Sequence, residues 1–282
     1  MSANTLKQAN DIMQPLLTIM EKLRDPETGC PWDKQQSFET IVPFTLEEAY
    51  EVADAIEQAD LDSLPNELGD LLFQVVFYCQ LGKEQGLFDF ATVVNKICDK
   101  LTRRHPHVFS GDNLGTSAEQ VKLVWDEIKQ QERLAKSQHS ILDDIPVAMP
   151  ALNRAIKIQK RVAKVGFDWA DLAPVVAKVH EEIDEVMAEA QHLEANKDEY
   201  YPKVVDEMGD LLFAVANMAR HLGVEPEQAL RLANQKFERR FKGVEQYAAQ
   251  SGKAFEQHSL EELDSYWDQV KMAEKSQQLS KD

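Results

Sequence analysis

The sequence predicts an all-α fold, and three observations carry that expectation. Only 11 Gly and 11 Pro occur among 282 residues, too few punctuating residues for a turn-rich β architecture. Apolar residues recur at helical spacing from the first segment onward. The same acidic pattern, followed by the same apolar run, also appears once in each half of the chain. Two tandem helical domains with cores of the four-helix-bundle type are expected.

In chain order, Leu6, Ile12, Met13, Leu16, Leu17, Met20 and Leu23 mark an opening amphipathic helix over residues 1–24. Arg24 to Asp33 carries two prolines and a glycine and reads as a loop. A helix is expected to start near Pro43-Phe44-Thr45, with Thr45 as N-cap and Glu48 completing a capping box. It contains Glu47-Glu48-Ala49-Tyr50-Glu51 and ends before Pro65. The next helix runs from Asn66 through Tyr78. Its apolar residues go almost all the way round, so burial is expected, in part by another subunit.

The halves superimpose by residue type. Glu47, Glu48 and Glu51 match Glu181, Glu182 and Glu185 at an offset of 134, and Glu67 and Asp70 match Glu207 and Asp210 at an offset of 140. Leu71-Leu72-Phe73 matches Leu211-Leu212-Phe213, Lys100-x-x-Arg103-Arg104 matches Lys236-x-x-Arg239-Arg240, and Val124-Trp125-Asp126 matches Tyr266-Trp267-Asp268. The chain is a tandem duplication, with expected domains 1–137 and 150–282 joined by a linker at 138–149. Two copies of the apolar helix need covering, either by packing on each other or by assembly of two chains, and a homodimer is expected.

The formal net charge of -18 excludes a nucleic-acid partner held by phosphate contacts, because the surface repels the backbone. An anionic ligand would need a cation as intermediary. Cys30, Cys79 and Cys98 form neither a CxxC pair nor an even framework, which fits a reducing cytoplasm and core positions. No signal peptide is visible. The most apolar stretch, Leu71 to Leu81, is too short to span a bilayer, so no membrane partner is expected.

Each acidic set reads E-E-x-x-E, a gap, then E-x-x-D. Placed on two helices, Glu181, Glu182 and Glu185 share one sector and Glu207 and Asp210 another, so five carboxylates meet across a helix pair. Like charges that close destabilise the fold unless a cation lies between them. Oxygen-only ligands suit a hard ion such as Mg2+ or Mn2+. The bland alternative is a solvated acidic face, and recurrence in both halves beside a buried apolar helix argues against it. Lys236, Arg239 and Arg240 could receive phosphates, or merely pair with Glu238 or Glu245. Trp267 could stack on a base or belong to the core.

Together, the doubled acidic pattern, Arg-His-Pro-His-Val-Phe at 104–109, Gly29-Cys30-Pro31-Trp32-Asp33 and Lys236-Phe237-Glu238-Arg239-Arg240-Phe241 resemble the MazG family of nucleoside triphosphate pyrophosphohydrolases. The resemblance covers nearly the whole chain. It implies an all-α fold shared with dimeric dUTPases and phosphoribosyl-ATP pyrophosphohydrolases, magnesium dependence, homodimerisation, and hydrolysis of nucleoside triphosphates to monophosphate and pyrophosphate. It also implies that the C-terminal copy does most of the work. Carried over by motif, Glu182, Glu185, Glu207 and Asp210 resemble the magnesium ligands, and Lys178, Lys203, Asp206, Lys236, Arg240 and Trp267 fall where the family contacts the nucleotide.

On that reading Glu181 orients or deprotonates the attacking water, while Lys203, Lys236 and Arg240 steady the departing pyrophosphate. A second metal site is expected at Glu48, Glu51, Glu67 and Asp70. There Phe44, Ser63 and Asn66 replace Lys178, Lys203 and Asp206, so the first copy is a weak site or a dimerisation module. Two rivals remain at this point: a hydrolase restricted to one substrate, such as dUTP or phosphoribosyl-ATP, and a non-catalytic metal-binding helical regulator.

Overall fold

A computed structural model describes residues 3–109, 117, 121, 124, 125, 128, 132 and 140–279. Asp126 of the repeated Trp-Asp pair, residue 137 at the end of the first expected domain, and residues 138 and 139 of the expected linker lie outside these. Every regular element among the described residues is a helix. The chain divides into two compact units, Met1–Glu132 and Arg133–Asp282. No helix among the described residues is long and apolar enough to cross a membrane.

The first unit contains α1 (Ala3–Leu23), α2 (Pro31–Lys34), α3 (Phe38–Glu57), α4 (Leu64–Glu84), α5 (Phe90–Arg104) and α6 (Pro106–Phe109). The expected start of the acidic helix at Thr45 is corrected. The helix begins seven residues earlier, where the Ser37 hydroxyl accepts from the Thr40 amide and the Thr40 hydroxyl accepts from the Ser37 amide. That reciprocal cap satisfies amides that Thr45 would have met too late. Pro43 therefore lies inside α3, and the Thr45 hydroxyl bonds back to the Ile41 carbonyl and across to Tyr78 on α4.

α3 lies along α4, and α1 and α5 also pack on α4. Met20, Ile41, Val76, Phe77 and Leu81 form the core, flanked by Phe38, Phe44, Phe73 and Phe90. The segment after α1 is not wholly a loop, since α2 interrupts it with Asp33 buried and Trp32 half-exposed against Phe44. All three cysteines are free, but only Cys79 is in the core; Cys30 is half-buried and Cys98 exposed. Cys98 lies on α5, a strongly amphipathic helix with no fully buried residue.

The second unit contains α7 (Ala151–Ala163), α8 (Leu172–Ala190), α9 (Lys197–His221), α10 (Pro226–Gln250), a 3-10 turn (Phe255–Gln257) and α11 (Leu260–Leu279). The Asn196 side chain caps α9 and Pro226 opens α10 at the position where a missing N–H costs nothing. α8 packs along α9, α7 crosses α9, and α10 pairs with α11. Small residues at the α7–α9 crossing, Ala155 and Ala216 with Ile156, let these helices approach closely.

α4 and α9 are less buried than their apolar runs suggest. Leu68 and Leu72 on α4, and Met208 and Leu212 on α9, stay exposed at matching positions 140 residues apart.

Candidate active site

The acidic pattern folds into two equivalent sites, one on each antiparallel pair. On α8 and α9, Glu182, Glu207 and Asp210 offer carboxylate oxygens all within 4.8 Å of one another. On α3 and α4, Glu48, Glu67 and Asp70 do the same. The ExxD spacing puts Glu207 and Asp210 on one face of α9, opposite the one buried carboxylate side chain of α8.

Glu182 is that side chain, and only 3% of it is exposed. Its Oε1 lies 2.6 Å from Lys178 Nζ, while Oε2 is buried with no hydrogen-bond partner. A buried carboxylate oxygen left bare is costly. A hard cation bridging Glu182, Glu207 and Asp210 would satisfy it, so the donor set fits a divalent ion with oxygen ligands. Partial burial, and after it the charges of Glu185, Asp210 and Glu182, push the Glu207 carboxyl above its usual range. Burial and then Glu51 and Asp70 do the same to Glu48.

The five expected carboxylates do not all converge. Glu185 lies close enough to repel Glu207 but outside the tight trio. Glu181 is exposed and accepts from Lys178 at 2.8 Å. Lys178 thus spans Glu181 and Glu182, one turn along the same face of α8, and both carboxylates hold its ammonium well above the ordinary lysine range. Asp206 adds to the field on Glu207. Lys203 turns away to Glu199 and Glu189, at 3.5 and 3.9 Å, and lies 4.3 Å from the Tyr200 ring centre.

The cations of the second basic set lie on α10. Arg239 and Arg240 do not pair with Glu238 or Glu245 as considered from sequence. Both reach Glu274 on α11, at 3.0 and 2.8 Å. Arg240 also stands 5.8 Å from the Trp267 ring centre, and Trp267 packs on Phe237. Lys236 is exposed. The first unit repeats this clamp: Arg103 and Arg104 share Glu132. A sequence signal existed, because Glu132 and Glu274 each follow the repeated Trp by seven residues, two helical turns on one face.

Beside the α8–α9 trio, a cavity of about 600 Å³ is lined by Lys178, Glu182 and Asp210 together with Gln159, Phe213 and Asn217. None of Lys203, Lys236, Arg239, Arg240 or Trp267 lines it. Gln159 and Asn217 were not singled out from sequence. The one available sign was the replacement of the fully buried Phe77 of α4 by Asn217 at the equivalent position of α9.

Comparison with known proteins follows the duplication. The MazG nucleotide pyrophosphohydrolase domain matches residues 36–109 and again 172–245. A nucleoside triphosphate pyrophosphohydrolase from Escherichia coli K12 is 57% identical over 92% of this chain and 97% of its own length. A Thermotoga maritima protein described as nucleoside triphosphate pyrophosphohydrolase/pyrophosphatase MazG is 42% identical over 94% of this chain and 98% of its own. A crystal structure of a mazG-related protein from Thermotoga maritima covers 42% of this chain and 98% of its own, at 30% identity and a TM-score of 0.36.

Proposed function

Because this chain belongs to the MazG nucleotide pyrophosphohydrolase family, we propose that it hydrolyses nucleoside triphosphates to the monophosphate and pyrophosphate at the α8–α9 carboxylates. The observation that supports this centre above all is the buried Glu182 oxygen without a partner, held within 4.8 Å of Glu207 and Asp210 beside an open cavity. Glu182, Glu185, Glu207 and Asp210 would hold magnesium, with manganese as a substitute of similar hardness. Such an ion supplies charge neutralisation for the triphosphate and activation of a water.

The chain's own residues complete the reaction. Lys178 neutralises Glu182 in the resting site and swings to phosphate oxygens when the nucleotide binds. Glu181, exposed at the rim and joined to the same lysine, orients the attacking water or accepts its proton. Lys236 and Arg240, with Lys203 and Asp206 near the start of α9, contact the polyphosphate. Trp267, beside Arg240, lies against the nucleoside. No covalent nucleophile is required, because positioning and electrostatic stabilisation suffice for this transfer.

Both ribo- and deoxyribonucleoside triphosphates are proposed as substrates, and a homodimer as the working form, in the cytoplasm, where the three free cysteines are stable. The first unit is a weaker site or a dimerisation module. Expected boundaries are 1–137 and 150–282. The test is pyrophosphate release from a panel of nucleotides, including dUTP and phosphoribosyl-ATP, with magnesium. Full activity in a Glu182→Ala, Glu185→Ala double variant overturns the site, and turnover of one panel member alone overturns the broad range.

A further inference from the structure

Lys203 is held by groups that only the second copy of the repeat carries. α9 begins at Lys197, seven residues before Val204, which matches Leu64, the first residue of α4, at the offset of 140. The second copy therefore adds nearly two helical turns, Lys197 to Lys203, in front of the shared helix. Glu199 and Tyr200 lie in these added turns. On the facing helix α8, Glu189 stands where α3 has Ala55, and Lys203 itself stands where the first copy has Ser63. In the first copy the same place is an open depression of about 390 Å³ whose lining includes Glu51, Ala55, Ser63 and Glu67 and no basic residue.

The hold on this lysine is loose. Its Nζ lies 3.5 Å from Glu199 Oε1, 3.9 Å from Glu189 Oε2 and 4.3 Å from the Tyr200 ring centre, against 2.6 and 2.8 Å for the two contacts of Lys178. Glu199 is fixed from its other side, because Asn196 Nδ2 donates to its Oε2 at 3.0 Å and Asn196 Oδ1 accepts from its amide. Tyr200 is backed by His192 of the α8–α9 connection, with 5.0 Å between ring centres. Glu189 Oε2 is buried and makes no hydrogen bond. A buried carboxylate oxygen without a partner is costly, so it attracts the ammonium without gripping it.

We propose that Glu189 is a positioning residue for Lys203: with Glu199 and Tyr200 it holds the ammonium in the resting site, yields it to the polyphosphate, and takes it back as pyrophosphate leaves. The proposal rests on the hydrolase reading above, in which Lys203 contacts the polyphosphate. The lysine is half-exposed on a long flexible stem, and ion pairs of that exposure are weak, so it can change partners on binding. The cradle and the phosphates then compete for one cation. Every complex in which Lys203 touches phosphate is weakened by the strength of the cradle, and departure of the product is eased to the same degree. Removing Glu189 should therefore tighten phosphate binding, whereas a merely structural lesion loosens it.

The experiment uses the full chain as parent, Glu189→Gln, Lys203→Met and the double variant. KM and kcat for ATP with magnesium are measured alongside the Kd of magnesium pyrophosphate by titration calorimetry. In Glu189→Gln, KM for ATP and Kd for pyrophosphate should both fall about threefold to fivefold, with kcat no higher than in the parent. In the Lys203→Met background the same substitution should change either value by less than about 1.5-fold, because the competitor has no cation left to hold.

Unchanged or raised values in Glu189→Gln overturn the positioning role and leave the hydrolase reading standing. Equal tightening with and without Lys203 also overturns it, since loss of an acidic charge near an anion would then account for the effect. Absent turnover in the parent, with Lys203-dependent tightening of pyrophosphate in Glu189→Gln, overturns the hydrolase reading and keeps the positioning role. Absence of both turnover and pyrophosphate binding overturns both. If Glu189→Gln fails to fold by circular dichroism, Glu189→Ala, matching what α3 carries at this position, decides in its place.

Discussion

Lys178 Nζ lies 2.6 Å from a carboxylate oxygen of Glu182 whose twin oxygen is buried and unpartnered. On the proposed reading, the lysine stands in for half of the charge of a divalent ion at this site. Removing it by Lys178→Met strands a buried carboxylate, at a cost of about 2 kcal/mol given that the ammonium itself is partly exposed. Melting should fall by several degrees without divalent ions. Added magnesium should restore more stability to the variant than to the parent, because a ligand that binds only the folded state repays what the vacancy cost. Equal magnesium-induced shifts in the two proteins would show that the lysine and the cation do not share Glu182.

The two carboxylate trios occupy matching positions but have different neighbours. In the first unit Gln74 donates to Glu48 at 3.5 Å, Phe44 stands where the second unit has Lys178, and Phe77 occupies the position of Asn217. Glu182→Gln should lower pyrophosphate release on the order of 100-fold, and Glu48→Gln should change it less than twofold. Manganese titration should nevertheless lose bound ion in both variants. A large loss of turnover in Glu48→Gln would make the first unit a full partner in catalysis.

Helix type and repeat were legible in the sequence because both rest on patterns that survive without tertiary contacts. Apolar residues at helical spacing mark α1, the duplicated acidic and apolar runs mark α3, α4, α8 and α9, and the matched E-x-x-D places Glu207 and Asp210 on one face. Thr45 with Glu48 three residues on has the pattern of a capping box and marks a start there in the sequence, whereas the reciprocal Ser37–Thr40 cap begins the helix earlier. Inter-helix partners were harder. Arg239 and Arg240 could be paired with any nearby glutamate on their own helix. The glutamate seven residues after each repeated Trp is a trace in the sequence, and the packing of α11 on α10 is what selects Glu274. Gln159 and Asn217 left almost no trace, since a buried amide in an apolar run gains meaning only from the cavity it faces.

The paired Arg–Glu clamps should show in acid. Hydrogen bonds from Arg104 and Arg103 hold the Glu132 carboxyl down to about 2, against 4.5 for a free glutamate. A depressed folded value means that the stabilisation is complete above the unfolded value and is lost as pH falls from about 4.5 through about 2. Glu274 is lowered in the same direction by Arg240 and then Arg239. Partial exposure of both clusters limits each clamp to about 1 kcal/mol. Glu132→Gln and Glu274→Gln should each lower stability at pH 7 by about that amount and flatten its decline below pH 4.5. Denaturant melts at pH 7 and pH 3 would measure this, and an unchanged pH slope would remove the clamps from the acid response.

The exposed positions common to α4 and α9 bear on assembly. Leu68 and Leu72 match Met208 and Leu212, and all four lie outside the cores although their helices are otherwise packed on one side. Such residues stranded on a helix face at i and i+4 form a stripe. In a symmetric dimer each residue is buried twice. At about 1.5–3 kcal/mol for each large side chain removed from water, placing a charge at Leu212 costs the dimer at least about 3 kcal/mol, or more than 100-fold in its dissociation constant. Leu212→Glu should therefore sediment as a monomer at concentrations where the parent is dimeric, with its helical content intact. A parent chain that sediments as a monomer at tens of micromolar would instead leave the stripe without a second copy to cover it.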